Sequence, residues 1–281
     1  MTRRDGRQDN ELRQLALESA LLSRADGSAK FSCGPVSVLA SVSGPMEVRL
    51  RDELVDRAAL EINMRPVRGL PGPPTKALVD SLASVFTPVL LLNRHPRSLI
   101  QLSLQTISLP STRYSKAFRT FQEDPLRSDD DEERIVDEDL ASPDSQAESV
   151  AEKAASINAA TCSLLDAAIG MKAVVCAVAI AMTRQESPTA EATSSDDNAP
   201  RHRILLDPTA EEEREAQATL CIAFAYGLEI GGPEGDVCYF DMTKGSLEDE
   251  QLNQTIEVAR LACSSVLNFI RKTQETRYLG Q

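Results

Sequence analysis

Asp207, Glu211, Glu212 and Glu213 follow the apolar run Ile204-Leu205-Leu206, so a strand end there would present carboxylates to a divalent ion or an attacking group. The same residues suit a turn, Asp207-Pro208-Thr209, with the acids behind it simply solvated, and spacing alone favours the turn. Arg65, Arg68, Lys76 and Arg97 stand near the ends of strand-like or helical segments, from which they could meet on one rim and hold phosphates. Scattered surface arginines fit that pattern equally well. Gly231-Gly232-Pro233-Glu234-Gly235 is a poor phosphate cradle, because Pro233 lacks an amide donor, and it is expected to be a turn. A phosphate loop, a Gly-x-Ser-x-Gly elbow, a Gly-x-Gly-x-x-Gly turn and a His-Glu-x-x-His pair are all absent from the sequence. With His95 and His202 the only histidines, and the six cysteines no closer together than 14 residues, neither a metal site nor a redox pair is expected, and no cofactor.

The elements that must position these residues are legible from periodicity. Between Ser28 and Met64 the pattern is strand-like, with Val36, Val38, Ala40 and Val42 on one face and a hairpin break at Gly34-Pro35. After a Gly/Pro-rich loop from Arg65 to Pro74, Leu78, Leu82, Val85, Phe86 and Val89 recur at helical spacing, and Pro88 predicts a kinked or shortened last turn. Ile100, Leu102 and Leu104 mark a half-buried strand. A helix is expected from Ala151 to Ala168, closed by Gly170, then an apolar strand from Lys172 to Met182 and further strands at Ile204–Leu206 and Ala218–Tyr226. A last helix is expected from Ser246 to Arg277, opened by a Ser246/Asp249 capping box. This order predicts a mixed α/β or α+β architecture with sheets covered by helices, in one domain spanning residues 1–281.

Two stretches break the pattern, residues 110–147 and 184–201, and both are expected to be polar surface insertions, the first disordered. Residues 122–150 hold twelve Asp or Glu against two Arg, so most of the net charge of −13 lies there and the body is nearly neutral. A strongly basic footprint is missing, which argues against tight autonomous binding of nucleic acid. No apolar run approaches membrane-spanning length, the amino terminus is too polar for a secretory signal, and the cysteines sit in apolar runs, so a reducing intracellular compartment is expected.

Several segments, taken in order, resemble one family. Arg4-Asp5-Gly6-Arg7 with Glu11-Leu12-Arg13, then Asp26-Gly27-Ser28-Ala29 with Gly44-Pro45, Arg65-Pro66 with Gly69-Leu70-Pro71-Gly72, His95-Pro96-Arg97, Ile157-Asn158-Ala159-Ala160 and Leu206-Asp207-Pro208-Thr209 are similar in order and spacing to the RNase PH family. The wording is nearest to the RNase PH-like ring subunits of the eukaryotic RNA exosome. The resemblance covers about Arg3 to Arg277, apart from the two insertions.

It implies an α+β domain of two αβ halves, six of which form a ring through which RNA threads, beneath RNA-binding cap subunits and with an associated hydrolytic nuclease. It also implies a nuclear, nucleolar and cytoplasmic location. Active members cleave RNA from its 3′ end with phosphate, held by an Arg in a Gly/Thr/Ser-rich turn ahead of the Ile-Asn-Ala-Ala helix. Here Lys153 falls near that Arg position with no Gly pair before it, while Thr112-Arg113 resembles the turn locally but lies across the acidic insertion. Lys lacks the forked donor geometry of Arg. The two family acids fall on Asp207 and Glu213, the second longer by one methylene than its Asp counterpart. These departures imply a ring subunit that keeps the fold without the chemistry, scaffolding the channel, with Arg65, Arg68 and Arg97 as RNA contacts. Two alternatives stay open: a phosphate-dependent 3′–5′ exoribonuclease completed by a neighbour, and an adaptor whose acidic loop recruits basic partners.

Overall fold

The β-branched alternation around Val36–Val42 sits in the larger of two sheets. In the computed structural model of the chain, residues 3, 5–67, 69–110, 149–184 and 202–279 are described. Strands β1 (Leu15–Ser19), β2 (Gly27–Cys33), β3 (Val36–Glu47), β4 (Ala59–Arg65) and β5 (Ser98–Ser108) form this sheet in the order β1-β2-β3-β5-β4. All neighbours are antiparallel except β4 and β5. Helix α1 (Pro73–Val89) makes the crossover that a parallel pair requires. It buries the predicted stripe of Leu78, Leu82, Val85, Phe86 and Val89.

The second sheet follows helix α2 (Val150–Asp166) and is antiparallel throughout, in the order β7-β6-β8-β9. Its strands are β6 (Val174–Arg184), β7 (His202–Leu206), β8 (Ala218–Gly227) and β9 (Gly232–Lys244). A short helix α3 (Ala210–Glu215) joins β7 to β8, and α4 (Asp249–Leu279) closes the chain. β8 is buried along nearly its whole length, which explains why it reads as a continuous apolar run.

Helix α2 is the joint between the halves, packing on β2 and β3 on one side and on β6 on the other. Being covered twice, it cannot be amphipathic, and nearly every residue is buried. Small side chains at Ala151, Ala154, Ala155, Ala159 and Ala160 let both sheets approach. At Gly27 a β-carbon would stand 2.3 Å from the Ala167 nitrogen, so no larger residue fits there.

The Asn158 position has a specific task. β7 covers only the Ile180–Arg184 end of β6, which leaves the earlier backbone groups on that edge without a strand partner. Asn158 supplies both bonds for Ala177, donating to its carbonyl at 2.9 Å and accepting its N–H at 2.8 Å. Thr161 donates to the Val175 carbonyl, and the Asp207 N–H to that of Ala179. The carbonyls of Val175, Ala177 and Ala179 and the Ala177 N–H on this edge thereby find partners.

Several expectations are corrected. Pro88 does not shorten α1, because it lies one residue before the helix end, where it deprives only the Ser84 carbonyl of a partner. The Ser246/Asp249 capping box does not form. α4 starts at Asp249, and Glu248 takes the cap, its carbonyl accepting from Leu252 and its N–H donating to the Gln251 side chain. β1 and β9 were not legible as strands; β9 carries bulges that interrupt its alternation. The turn expected near Gly231 is the β8–β9 hairpin, where a β-carbon at Gly231 (φ +84°) would lie 1.8 Å from the Ala225 carbonyl oxygen. The stretches 111–148 and 185–201 lie outside the described residues, and with them Arg68 and the Thr112-Arg113 motif.

Candidate functional site

Asp207, directly after β7, takes a left-handed conformation, φ +49°, that costs a non-glycine residue about 1–3 kcal/mol and that Asp tolerates better than most. The conformation turns its carboxylate inward, where it is 4% exposed. Every oxygen there has a partner within the chain. Arg13 donates from Nε to Oδ2 at 2.7 Å and from a terminal nitrogen to Oδ1, while its backbone N–H also reaches Oδ2. The Cys33 thiol donates to the same oxygen at 3.0 Å. Burial alone would raise the Asp207 pKa, but this bidentate guanidinium holds the carboxyl below its ordinary range. The pKa of the half-buried Cys33 thiol is pushed upward by desolvation and by that carboxylate, so the thiol stays protonated.

The backbone at this corner is also occupied. Arg3 donates to the Leu206 carbonyl at 2.6 Å, Arg7 donates to the Asp207 carbonyl at 3.3 Å, and the Leu206 N–H is accepted by Asp9. Asp9 also pairs with Arg203 on β7. The amino-terminal segment is therefore strapped across the end of the second sheet, with Asp207 as its main anchor.

The acidic run is neither a plain turn nor simply solvated. Thr209 caps α3 in a full capping box with Glu212. Glu213, half-buried, points at the start of α2, where its Oε1 accepts from the Ser149 hydroxyl at 3.0 Å and from the Ala151 N–H at 3.1 Å. It thus neutralises an orphan donor at a helix N-terminus. Burial raises its pKa, an effect these bonds and Arg13 offset only in part.

Lys153, one turn into α2, donates to Asp241 at 2.7 Å and to Thr243 at 3.3 Å, both on β9. Glu152 on the same turn accepts from Thr106 at 2.6 Å. The α2 start is thus lined by the carboxylates of Glu152 and Glu213, and its lysine is engaged by a third, Asp241. Among the described residues no cluster of ligating side chains could hold a metal ion.

The rim proposed for the cations divides in two. Arg65 pairs with Gln105 near the far end of β5, whereas Arg97 immediately precedes the start of that strand. Eight residues at about 3.3 Å each put them about 26 Å apart. Parallel pairing of β4 and β5 enforces this, since Arg65 ends one strand and Arg97 opens the other. Arg97 pairs with Glu53 at 3.3 Å and its N–H binds the Leu54 carbonyl, both in the β3–β4 loop. Arg65 and Lys76 are exposed on either side of the 66–72 loop. Sequence reasoning missed Arg3, Arg7 and Arg13 as the partners of Asp207, and no periodic signal marks them.

The family model described as "3′ exoribonuclease family, domain 1", of the RNase PH type, matches residues 11–170, more than half of the chain. The chain belongs to the RNase PH family. The exosome complex component rrp46 of Schizosaccharomyces pombe is 35% identical over 92 residues, 33% of this chain and 41% of that protein. The exosome complex component RRP46 of Saccharomyces cerevisiae is 38% identical over 90 residues, 32% of this chain and 40% of that protein. These matches span about two fifths of the relatives' length. The crystal structure of rice Rrp46 superposes with a TM-score of 0.71 at 21% identity, covering 97% of this chain and 100% of that one. An archaeal exosome core chain superposes at 0.61 with 14% identity, covering 96% and 91%. The RNase PH fold, an α+β arrangement of two sheets and packed helices, is therefore that of this chain.

Proposed function

We propose that this chain is a non-catalytic ring subunit of an RNA exosome, contributing interfaces and part of the channel wall to 3′–5′ RNA processing and degradation, ribosomal RNA included. The names of its relatives and the shared fold support the assembly. One observation carries the loss of chemistry: the residues at the family's reactive positions bind the protein itself. Asp207 is saturated by Arg13 and Cys33, Glu213 is spent on the start of α2, and Lys153 is held by Asp241. A phosphate arriving at α2 would meet carboxylates in place of a forked cation. Phosphoryl transfer depends on positioned groups, and Asp207, Glu213 and Lys153 are all engaged by the protein itself.

The partners on this reading are other RNase PH-like chains, RNA-binding cap subunits and a hydrolytic nuclease that does the cutting, with RNA in a shared channel. Pooling cations from several chains supplies the positive field that this near-neutral body lacks. The location would be nuclear, nucleolar and cytoplasmic. The competing reading, a phosphate-dependent exoribonuclease completed by a neighbour, rests on the activity named in the family's description.

Native mass spectrometry of the affinity-purified protein tests the assembly. A stable hetero-oligomer with RNase PH-like chains is expected. A monomer, or a complex containing no such chain, would overturn the proposal.

A further inference from the structure

β9 is an edge strand of the second sheet: among the described residues it pairs with β8 alone. Its 13 residues, about 43 Å of extended chain, turn alternate backbone N–H and C=O groups outward. An edge of this length is a template for one more strand. Bulges near Cys238 and Thr243 interrupt the ladder with β8 and leave a regular stretch, Tyr239–Met242, between them.

The register divides the side chains of β9 between two faces. Val237, Phe240 and Met242 stand opposite Phe224, Ile222 and Leu220 and share their face. The β8 residues are fully buried, whereas Val237, Phe240 and Met242 are 41%, 42% and 38% exposed, so this apolar layer runs out to the edge uncovered. Asp236, Tyr239 and Asp241 stand opposite Ala225, Ala223 and Cys221 on the other face, the one that Lys153 of α2 reaches. The charge around the edge is nearly all of one sign. Residues 229–250 hold seven Asp or Glu against one Lys. Lys244 is turned to the Arg214 carbonyl, and of the acids only Asp241 makes an ion pair with another described residue.

We infer that β9 takes up an extended segment of another protein as an added strand, and that this segment alternates apolar with basic residues. On one face its apolar side chains would extend the layer of Val237, Phe240 and Met242; on the other its basic side chains would meet Asp236 and Asp241, with Glu234 close by in the chain. Main-chain bonds to the outward groups of Tyr239–Met242 set the register. A second copy of this chain fits less well, because pairing β9 with itself would bring two acid-rich edges together. The contact stands on β9 alone and does not rest on the ring reading above.

The full-length protein is titrated at low ionic strength with a fluorescent peptide of about twelve residues alternating Lys and Val, enough to cover β9. Two controls carry the same residues in scrambled order, or Glu in place of Lys. Binding with a Kd on the order of micromolar is expected of the first peptide alone. It should weaken about tenfold in E234K with D236K, and about tenfold in F240S. No binding of the alternating peptide, or equal binding of the scrambled one, would overturn the inference.

A second arm needs no protein variant. An added strand turns only alternate amides to its neighbour, so methylating the Val amide nitrogens in one peptide and the Lys amide nitrogens in another should abolish binding in one case and spare it in the other. Equal effects would refute strand addition. Hydrogen exchange should slow at Tyr239–Met242 when the peptide binds; protection elsewhere with none on β9 would place the peptide on another surface and refute the inference. A chain that sediments as a dimer and becomes a monomer in F240S would make a second copy the occupant, and would overturn it too.

Discussion

Asp207→Ala tests whether this acid is a structural anchor. The change removes the acceptor of the Arg13 side-chain and backbone bonds and of the Cys33 thiol, and leaves an 8%-exposed guanidinium without its counterion. Breaking a buried ion pair by deleting one partner costs about 3–5 kcal/mol. Ala keeps the left-handed strain that Asp tolerates, so nothing offsets the loss. At about 2–4 °C per kcal/mol for a chain of this size, the melting temperature should fall by about 6–20 °C. Chemical denaturation with an unchanged m value measures this, and a double-mutant cycle with Arg13→Met isolates the pair. The double variant should recover part of the loss, because the uncompensated cation is gone. A single-variant loss below about 1 kcal/mol would refute the anchor, and Asp207 would then be free for chemistry.

The same geometry sets other expectations. The Asp207 pKa is lowered on folding, so its contribution is present above the ordinary carboxylate pKa and is lost as pH falls through the folded value; acid unfolding of wild type but not of Asp207→Asn should show this step. Glu213 is shifted the other way, so the stability it confers is present below its ordinary pKa and lost as pH rises through the folded one. Glu213→Gln should therefore cost less than about 1 kcal/mol at pH 7, and Glu213→Ala about 1–2 kcal/mol by equilibrium unfolding. Asn158→Leu strands both polar groups of Ala177 in the core and should cost about 2–4 kcal/mol. Inorganic phosphate should raise the melting temperature no more than chloride of equal ionic strength, because Glu213 occupies the start of α2; a phosphate-specific rise would contradict that occupancy.

Much of the architecture was legible because burial follows period. The α1 stripe, the β3 and β5 alternations and the apolar β8 are each dictated by one or two covering layers. The joint helix α2 was legible as a helix, but the Asn158 bonds depend on where β7 stops, a tertiary fact. The site was less legible still. Asp207 and Glu213 were located by family position, yet what they bind is settled by Arg13, nearly two hundred residues earlier, and by Ser149 at the edge of an insertion. Spacing could not show that Arg65 and Arg97 lie at opposite ends of one strand pair, because that depends on β4 and β5 running parallel.

On the proposed reading, Asp207, Glu213 and Lys153 serve as internal clasps in place of reactive groups. The most direct test follows release of nucleoside diphosphates from the 3′ end of RNA, with and without inorganic phosphate, by the purified chain and by the complex it enters. No phosphate-dependent release is expected from the chain, and any from the complex should be unchanged by Asp207→Asn. Phosphate-dependent release by either preparation that disappears with Asp207→Asn, while the folded protein and its assembly persist, would contradict the claim.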